Sequence, residues 1–287
     1  MSSATITHLT KYQHYYPCAT LVRLSNETHR KKAKIKCLFA DRDVPVQVPA
    51  EKIGGERHLY EPLSLYPNEI ENLLTEEVDN KFSTVLNKTF FRKLMSHKEV
   101  TLTSADLKAL YAYCYSLMLR HPSIVKNEEA MKIFLPSTSV PSIPLAYGNF
   151  LKNFLKASSD FAYKTEFWVT QKAIPVNLSN PVVFLPTDEY NLPKLLVVVS
   201  KNIYMTVDTS QPVEEESKLA TVYYEETSND SSLQAIDYLL SKNIKNSTYV
   251  FGLDETNDIT DKIKLYREQD LLLKPVVTNS SFCIEKE

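Results

Sequence analysis

The stretch TSADLKALYAYCYSLMLRHP, residues 103–122, carries the clearest structural signal of the chain. Its apolar side chains recur at spacings of three and four, which indicates the buried face of an α-helix. Thr103 or Ser104 is a suitable N-cap for this helix, and Pro122 marks its end. The side chains that share the face are Leu107, Leu110, Tyr111, Cys114, Leu117 and Met118. The pattern predicts a helix with Arg120 in its last turn.

The neighbouring segments extend this helical signal in both directions. Asn68 is a plausible cap for a long amphipathic helix of about six turns. The segments NEEAMKIFL and LAYGNFLKNFLKA are also typical of helices. They are separated by PSTSVPSIP at 136–144, which predicts an exposed hinge. We therefore expect a helical sub-lobe over residues 68–157.

Short apolar runs on either side of this lobe predict β-strands. HYYPCATLVRLS (14–25), KIKCLFAD (34–41) and VPVQVP (44–49) precede it, and KTEFWVTQKA, PVVFLP, KLLVVVS and NIYMTVD follow it. LLVVV at 195–199 has no polar alternation, as expected for a central strand that is buried on both faces. The prediction is an α+β fold, in which a mixed sheet of N- and C-terminal strands packs against the helical middle lobe. We expect residues 1–287 to form a single domain.

The composition excludes several classes of protein. Only four of the 287 residues are glycine, and no Walker loop, Rossmann fingerprint, kinase loop or nucleophile elbow is present. The net charge of −2 gives no global field that would attract nucleic acid or an anionic membrane. No secretory signal or apolar run of membrane-spanning length is visible, so we expect a cytoplasmic protein without a membrane partner. The four scattered cysteines are typical of free buried thiols.

Several short motifs recur in a characteristic order along the chain. They are Gln13, His14, Tyr15 and Pro17; Glu56, Arg57 and Tyr60; Ile70 and Glu71; Arg120, His121 and Pro122; Ser179, Asn180 and Pro181; and Asp237 and Tyr249. Each motif is weak alone, but their order over roughly residues 12 to 254 resembles domain-of-unknown-function family 4238, which occurs in bacteria, archaea and some viruses. The chain departs from the family pattern at Gln13, Ser179 and Asp237, where the family has His, an acid and Asn. The resemblance implies a fold and the location of a site, but no reaction.

These matches provide the candidate site residues, each with a structural alternative. His14, Glu56 and Glu71 are the candidates for catalysis, since imidazole and carboxylate groups transfer protons or bind metals. The candidates for ligand binding are Tyr15, Arg57, Arg120, Asn180 and Asp237. In the structural alternative, His14 holds the start of a strand, Glu56 and Arg57 form an ion pair, and Asp237 anchors a buried network.

Charged runs outside this set are interpreted as solvated surface. Glu76, Glu77 and Asp79 follow Glu71 on the predicted helix and are assigned to its exposed face. The basic stretch THRKKAKIK (28–36) has the charge to grip a phosphate backbone, but it contains no aromatic residues for stacking. An exposed loop is the favoured interpretation of this stretch.

Two functions follow from these residues. The first is hydrolysis of phosphodiesters by a nuclease-like effector in bacterium–phage conflict, with a nucleic acid or nucleotide as partner. The cofactor is left open, with a divalent metal ion as the candidate. The second is a non-catalytic binding protein, inhibitor or sensor, which has a protein partner and a structural polar cluster.

Overall fold

The computed structural model describes residues 12–25, 27, 29–96, 100–135, 141–157, 160–170, 173–185, 194–213, 220–224, 247–253, 260–261, 263–265, 273–278 and 281–286. The helices are α1 (Cys18–Val22), α2 (Glu69–Leu73), a π-helix (Leu74–Asp79), α3 (Asn80–Val85), α4 (Lys88–Met95), α5 (Ser104–Leu119), α6 (Pro122–Val125), α7 (Glu128–Lys132) and α8 (Ile143–Ala157). The strands are β1 (Tyr12–His14), β2 (Lys34–Leu38), β3 (Val46–Pro49), β4 (Gly55–Arg57), β5 (Tyr163–Val169), β6 (Val176–Asn177), β7 (Val183–Leu185), β8 (Lys194–Ser200), β9 (Ile203–Pro212), β10 (Ala220–Tyr224), β11 (Tyr249–Phe251), β12 (Leu273–Thr278) and β13 (Ser281–Lys286).

The N-terminal segment differs in part from the prediction. Strand β1, Tyr12–His14, overlaps the first apolar run only at His14, and Cys18–Val22 is the short helix α1. Pro17 is the N-cap residue of α1, and its backbone is extended just before the helix begins. The run CATLV is too short for its apolar pattern to distinguish a strand from a helix.

The predicted helical middle is confirmed. α2, the π-helix and α3 follow one another without a break from Glu69 to Val85. Thr103 is the N-cap of α5, where it forms a reciprocal capping box with Asp106. Asn68 precedes α2 in a left-handed conformation, and its side chain does not cap the helix. α5 is buried around most of its circumference, which explains why its apolar residues extend beyond one face.

The strands are divided between two main sheets. One has five strands in the order β10-β5-β9-β8-β7, and it is mixed because β10 and β5 are parallel while the other pairs are antiparallel. The other is antiparallel, in the order β3-β2-β11-β6, and combines N-terminal with C-terminal strands. β8 is an interior strand with Leu195–Val199 buried, as predicted. The α+β fold class is confirmed.

The helical lobe and the sheets share one apolar core. The hydroxyl of Tyr16 donates to the carbonyl of Val198 across this core, at 3.1 Å. The ring of Phe90 from α4 packs edge-on against Phe167 of β5. The predicted hinge begins at 136–140, which lies outside the described residues, and its last residues already belong to α8. In the described ranges, no helix combines the length and apolarity that crossing a bilayer requires.

Candidate functional site

A sharp turn brings β1 and β4 together beside the helical lobe. Gly54 adopts φ +71°, a left-handed conformation that favours glycine, and its carbonyl accepts a hydrogen bond from the Tyr16 amide at 2.9 Å. β1 and β4 are antiparallel, with Gln13 opposite Glu56 and His14 opposite Gly55. Neighbouring residues of a strand point to opposite faces, so this register separates the side chains of His14 and Glu56.

His14 lies half-buried at the end of β1. Its Nε2 is 3.3 Å from the carbonyl oxygen of Glu51, which can only accept, so Nε2 carries the proton and Nδ1 keeps its lone pair. Within the described chain, Nδ1 makes no hydrogen bond. Burial and the positive charge of Arg30 lower the pKa of His14 to about 4. The imidazole is therefore neutral at physiological pH.

Glu71 lies next to His14 and comes from helix α2. Its carboxylate accepts a hydrogen bond from the backbone of His14 and is within electrostatic range of Arg120. Burial raises the pKa of Glu71 to about 7, and the nearby Asp79 carboxylate adds to the rise. A large fraction of the Glu71 side chains is therefore protonated at neutral pH.

Arg120 is fully buried at the C-cap of α5 and pairs with Asp79. Nη1 and Nη2 donate to the two carboxylate oxygens at 3.1 and 3.0 Å. Burial alone would lower the pKa of Arg120, but the Asp79 carboxylate raises it above its usual value. The Nε–H of Arg120 has no acceptor in the described part of the protein. The carboxylate partner of Arg120 is thus Asp79.

The π-helix explains why Asp79 faces inward. In a regular α-helix, Glu71 and Asp79 would be about 80° apart around the axis. The wider π-turn, with its i→i+5 hydrogen bonds, brings the two carboxylates close to the same face. Assignment of Asp79 to the solvated face was therefore wrong, whereas Glu76 is exposed and Glu77 pairs with Lys81 at the surface.

Tyr60 and Gln13 hold these elements in place. The Tyr60 hydroxyl is 3.1 Å from the carbonyl of His14 and 3.4 Å from that of Arg120, so it joins β1 to the end of α5. Gln13 is fully buried; its Oε1 accepts from the amide of Tyr60 and its Nε2 donates to Glu61, both at 2.7 Å. Gln13 is thus a structural anchor.

Glu56, Tyr15 and Arg57 lie outside the cluster of His14 and Glu71. Glu56 forms an ion pair with Lys126. Burial raises the pKa of Tyr15, and the charge of Glu56 adds to the rise. The ring of Tyr15 packs edge-on against His121. Arg57 is exposed, so the expected ion pair between Glu56 and Arg57 is not formed.

His121 connects this region to the turn that contains Asn180. Its Nδ1 accepts from the amide of Ser123, so its Nε2–H donates to the carbonyl of Leu178 at 3.0 Å. The Asn177 side chain, rather than that of Asn180, organises the turn, because its oxygen accepts from the amides of residues 179 and 180. Asp237 lies outside the described residues.

The described residues contain no group of three or more His, Cys, Asp or Glu side chains that could hold a metal ion. Cys18, Cys37 and Cys114 are free and buried, as predicted. The structure thus assembles His14, Glu71, Arg120 and the unpredicted Asp79 into one polar cluster, which we call the His14 cluster.

The comparisons with known proteins point to one family. Residues 12–139 match the family model described as "Protein of unknown function (DUF4238)". This range contains all four members of the His14 cluster, whereas the motifs around Asn180 and Asp237 lie beyond it. Searches of curated proteins and of solved structures found no match. Over residues 12–139, which are less than half of the chain, the protein is similar to the DUF4238 family.

Proposed function

We propose that the protein hydrolyses phosphodiesters by acid–base catalysis at the His14 cluster. The observation that carries this proposal is that half-buried His14 and Glu71 lie next to each other, with Arg30 and Arg120 nearby. The pKa of His14 is lowered, whereas that of Glu71 is raised. A neutral imidazole with a lone pair accepts a proton, and a carboxylic acid with a pKa of about 7 is well matched to donate one near neutral pH.

The reaction balances with these two groups. A water oxygen attacks phosphorus while His14 Nδ1 takes a proton from the water. The bond from phosphorus to the leaving oxygen breaks, and Glu71 protonates that oxygen. The products are a phosphomonoester and an alcohol, and both side chains return to their starting states by exchanging protons with solvent.

The arginines give the cluster an affinity for anions. Arg30 is exposed and acts electrostatically on both His14 and Glu71, so it is placed to balance the charge of a phosphate. Arg120 is fully buried and paired with Asp79, so it acts on His14 and Glu71 through its charge rather than by contact with a bound anion. Glu56 and Arg57 have no part in the proposed chemistry. The strand register separates the side chain of Glu56 from that of His14, and Arg57 is exposed.

Hydrolysis by matched variants tests this proposal. His14→Ala and Glu71→Gln are compared with wild type on RNA, DNA and nucleotides, with Mg²⁺, Mn²⁺ or a chelator. Each substitution should reduce hydrolysis by about 100-fold or more while the melting temperature at pH 7 holds. Glu77→Gln on the same helix is the control and should leave the rate unchanged. Equal rates in all four proteins would refute the assignment.

A non-catalytic binding protein, inhibitor or sensor is the second candidate. It is favoured by the hydrogen bonds that tie Arg120, Asp79, His14 and Tyr60 to one another or to backbone, as in a folding network. In that case no substrate is cleaved, and His14→Ala lowers the melting temperature by several degrees. A role in bacterium–phage conflict stays a prediction, which growth arrest upon expression would support.

A further inference from the structure

Five exposed cations lie together at one end of the β2–β3 hairpin. We call this surface the basic ridge; its members are Arg30, Lys31, Lys32, Lys34 and Lys52. The buried Ala33 anchors the turn, because its amide bonds to the carbonyl of His29. The carbonyl of Ala33 accepts from the amide of Ala50, which places the short helical turn 50–52 beside it.

The ridge residues differ from other surface lysines in their ion pairing. Within the part of the chain that the structure describes, no ridge residue forms an ion pair with an acid. Surface lysines elsewhere do so, for example Lys81 with Glu77 and Lys132 with Glu129. Five neighbouring like charges create a local positive potential on a chain whose net charge is only −2.

The ridge leads directly to the His14 cluster. Arg30 acts on His14 and Glu71 and forms a hydrogen bond with the Cys18 thiol. Glu51, from the turn that carries Lys52, provides the carbonyl that His14 contacts. The same surface therefore joins the exposed cations to the proposed reaction centre.

An aromatic ring stands at this junction. Tyr12 packs edge-on against the ring of His14, with 5.2 Å between centroids, and its hydroxyl donates to the carbonyl of Lys52 at 2.9 Å. The basic stretch has no aromatic residue in its own sequence, but strand β1 supplies one in space. Cations next to a half-exposed ring are the combination that binds single-stranded nucleic acids.

The geometry points to a binding surface for single-stranded nucleic acid along the basic ridge. The ridge contacts successive phosphates, Tyr12 contacts a base, and one phosphodiester reaches His14. This inference rests on the proposed function, since it names a polymeric nucleic acid as the substrate class. A single strand is favoured over a duplex because stacking on Tyr12 requires an unpaired base.

Binding of fluorescent oligonucleotides to the full chain tests the surface. Anisotropy is measured with single-stranded RNA, single-stranded DNA and duplex DNA between 50 and 200 mM salt. The triple variant Lys31→Gln, Lys32→Gln, Lys34→Gln is compared with Lys88→Gln, Arg92→Gln, Lys93→Gln, which removes three exposed charges from α4. The ridge variant should bind at least about 10-fold more weakly, and its salt slope should fall by about 2. The α4 variant should stay within about 2-fold of wild type, and Tyr12→Leu should weaken binding to single strands more than to duplex.

Several results would overturn the inference. Equal losses of oligonucleotide affinity in the two triple variants would mean that binding depends on total charge and not on a defined surface. Competition by poly-glutamate as effective as that by the oligonucleotide would assign the ridge to an acidic protein. Cleavage of a small phosphodiester with no oligonucleotide binding would refute the surface but keep the chemistry. Ridge-dependent binding without any cleavage would keep the surface and refute the chemistry.

Discussion

At the residue scale, His14 and Glu71 carry opposite perturbations within one cluster. Burial disfavours the charged form of each side chain, which lowers the pKa of the histidine and raises that of the acid. The same physical cause therefore leaves both groups neutral over a common range of pH. This arrangement has a direct consequence for the pH dependence of stability.

The two groups should make opposite contributions to the free energy of unfolding. From about pH 4.5 to 7 the folded chain keeps a proton on Glu71 that the unfolded chain releases, so stability falls as pH rises. From about pH 4 to 6.5 the unfolded chain binds a proton on His14 that the folded chain excludes, so stability rises with pH. In wild type these slopes largely cancel between pH 4.5 and 6.5.

Single substitutions should reveal each slope. The free energy of unfolding of Glu71→Gln, measured relative to wild type, should rise by about 1–3 kcal/mol from pH 4.5 to pH 6.5. That of His14→Asn should fall by a similar amount over the same range. Urea denaturation at the two pH values measures the difference. Glu77→Gln is the control on the same helix, and pH profiles that run parallel in all variants would contradict the prediction.

The residues of the cluster differ in how far the sequence revealed them. His14, Glu71 and Arg120 were identified because they match motifs of the family that the sequence resembles. Asp79 was missed because it lies in an acidic run with Glu76 and Glu77, and helical spacing assigned all three to solvent. Only the π-turn, which leaves no signature in the apolar spacing, separates Asp79 from its neighbours.

At the scale of elements, two neighbouring hydroxyl groups at the start of α5 differ in their hydrogen bonding. The Thr103 hydroxyl accepts from the amide of Asp106 at 3.2 Å, while the Asp106 carboxylate accepts from the amide of Thr103 at 2.8 Å. The hydroxyl of the next residue, Ser104, is buried and has no hydrogen-bond partner within the described residues. The Thr103 hydroxyl thus caps α5, whereas the Ser104 hydroxyl does not stabilise the helix.

Alanine substitutions should separate these two hydroxyls. Thr103→Ala should lower the free energy of unfolding by about 1 kcal/mol, because one orphan amide of α5 loses its acceptor. Ser104→Ala should change it by less than about 0.5 kcal/mol or raise it, since an unsatisfied polar group is removed. Urea midpoints measure both, and a larger loss in Ser104→Ala than in Thr103→Ala would reverse the assignment.

The packing of α8 against the turn at Glu61–Leu63 depends on a single glycine. A Cβ atom added at Gly148 would overlap the backbone carbonyl of Leu63. Alanine normally favours a helix over glycine by about 1 kcal/mol, but here the overlap forces two backbones apart.

Gly148→Ala should therefore destabilise the protein, by about 1–3 kcal/mol. Thermal unfolding followed by circular dichroism measures the loss. The exposed neighbour is the matched control, and Asn149→Ala should leave the melting temperature nearly unchanged. A higher melting temperature for Gly148→Ala would mean that α8 does not approach the turn this closely.

At the scale of the whole molecule, the sequence indicated the fold class better than the arrangement of strands. The helical middle and the buried strand β8 were predictable because their apolar periodicities are long and regular. The division into two sheets was not, since strand pairing depends on contacts between distant segments. The short helix α1 was interpreted as a strand for lack of enough residues to show a period.

The segment that matches the family model should not fold by itself. Strand β2 has β11 as a neighbour, and Tyr16 bonds to Val198, so both depend on residues far beyond 139. A fragment of residues 1–139 should show no cooperative thermal transition, whereas the full chain should unfold in one. A sharp transition in the fragment would make the family segment a separate domain and would contradict the expected single domain.

The position of β2 between β3 and β11 also has a consequence during synthesis. β2 can pair with β3 as soon as both have left the ribosome. Its other edge can pair with β11 only after residues 249–251 have been synthesised. At about 5–20 residues per second, this delay is on the order of 10–40 s. For that time the nascent chain carries an unpaired, apolar strand edge, which is the kind of surface that chaperones shield and that crowded translation exposes to aggregation.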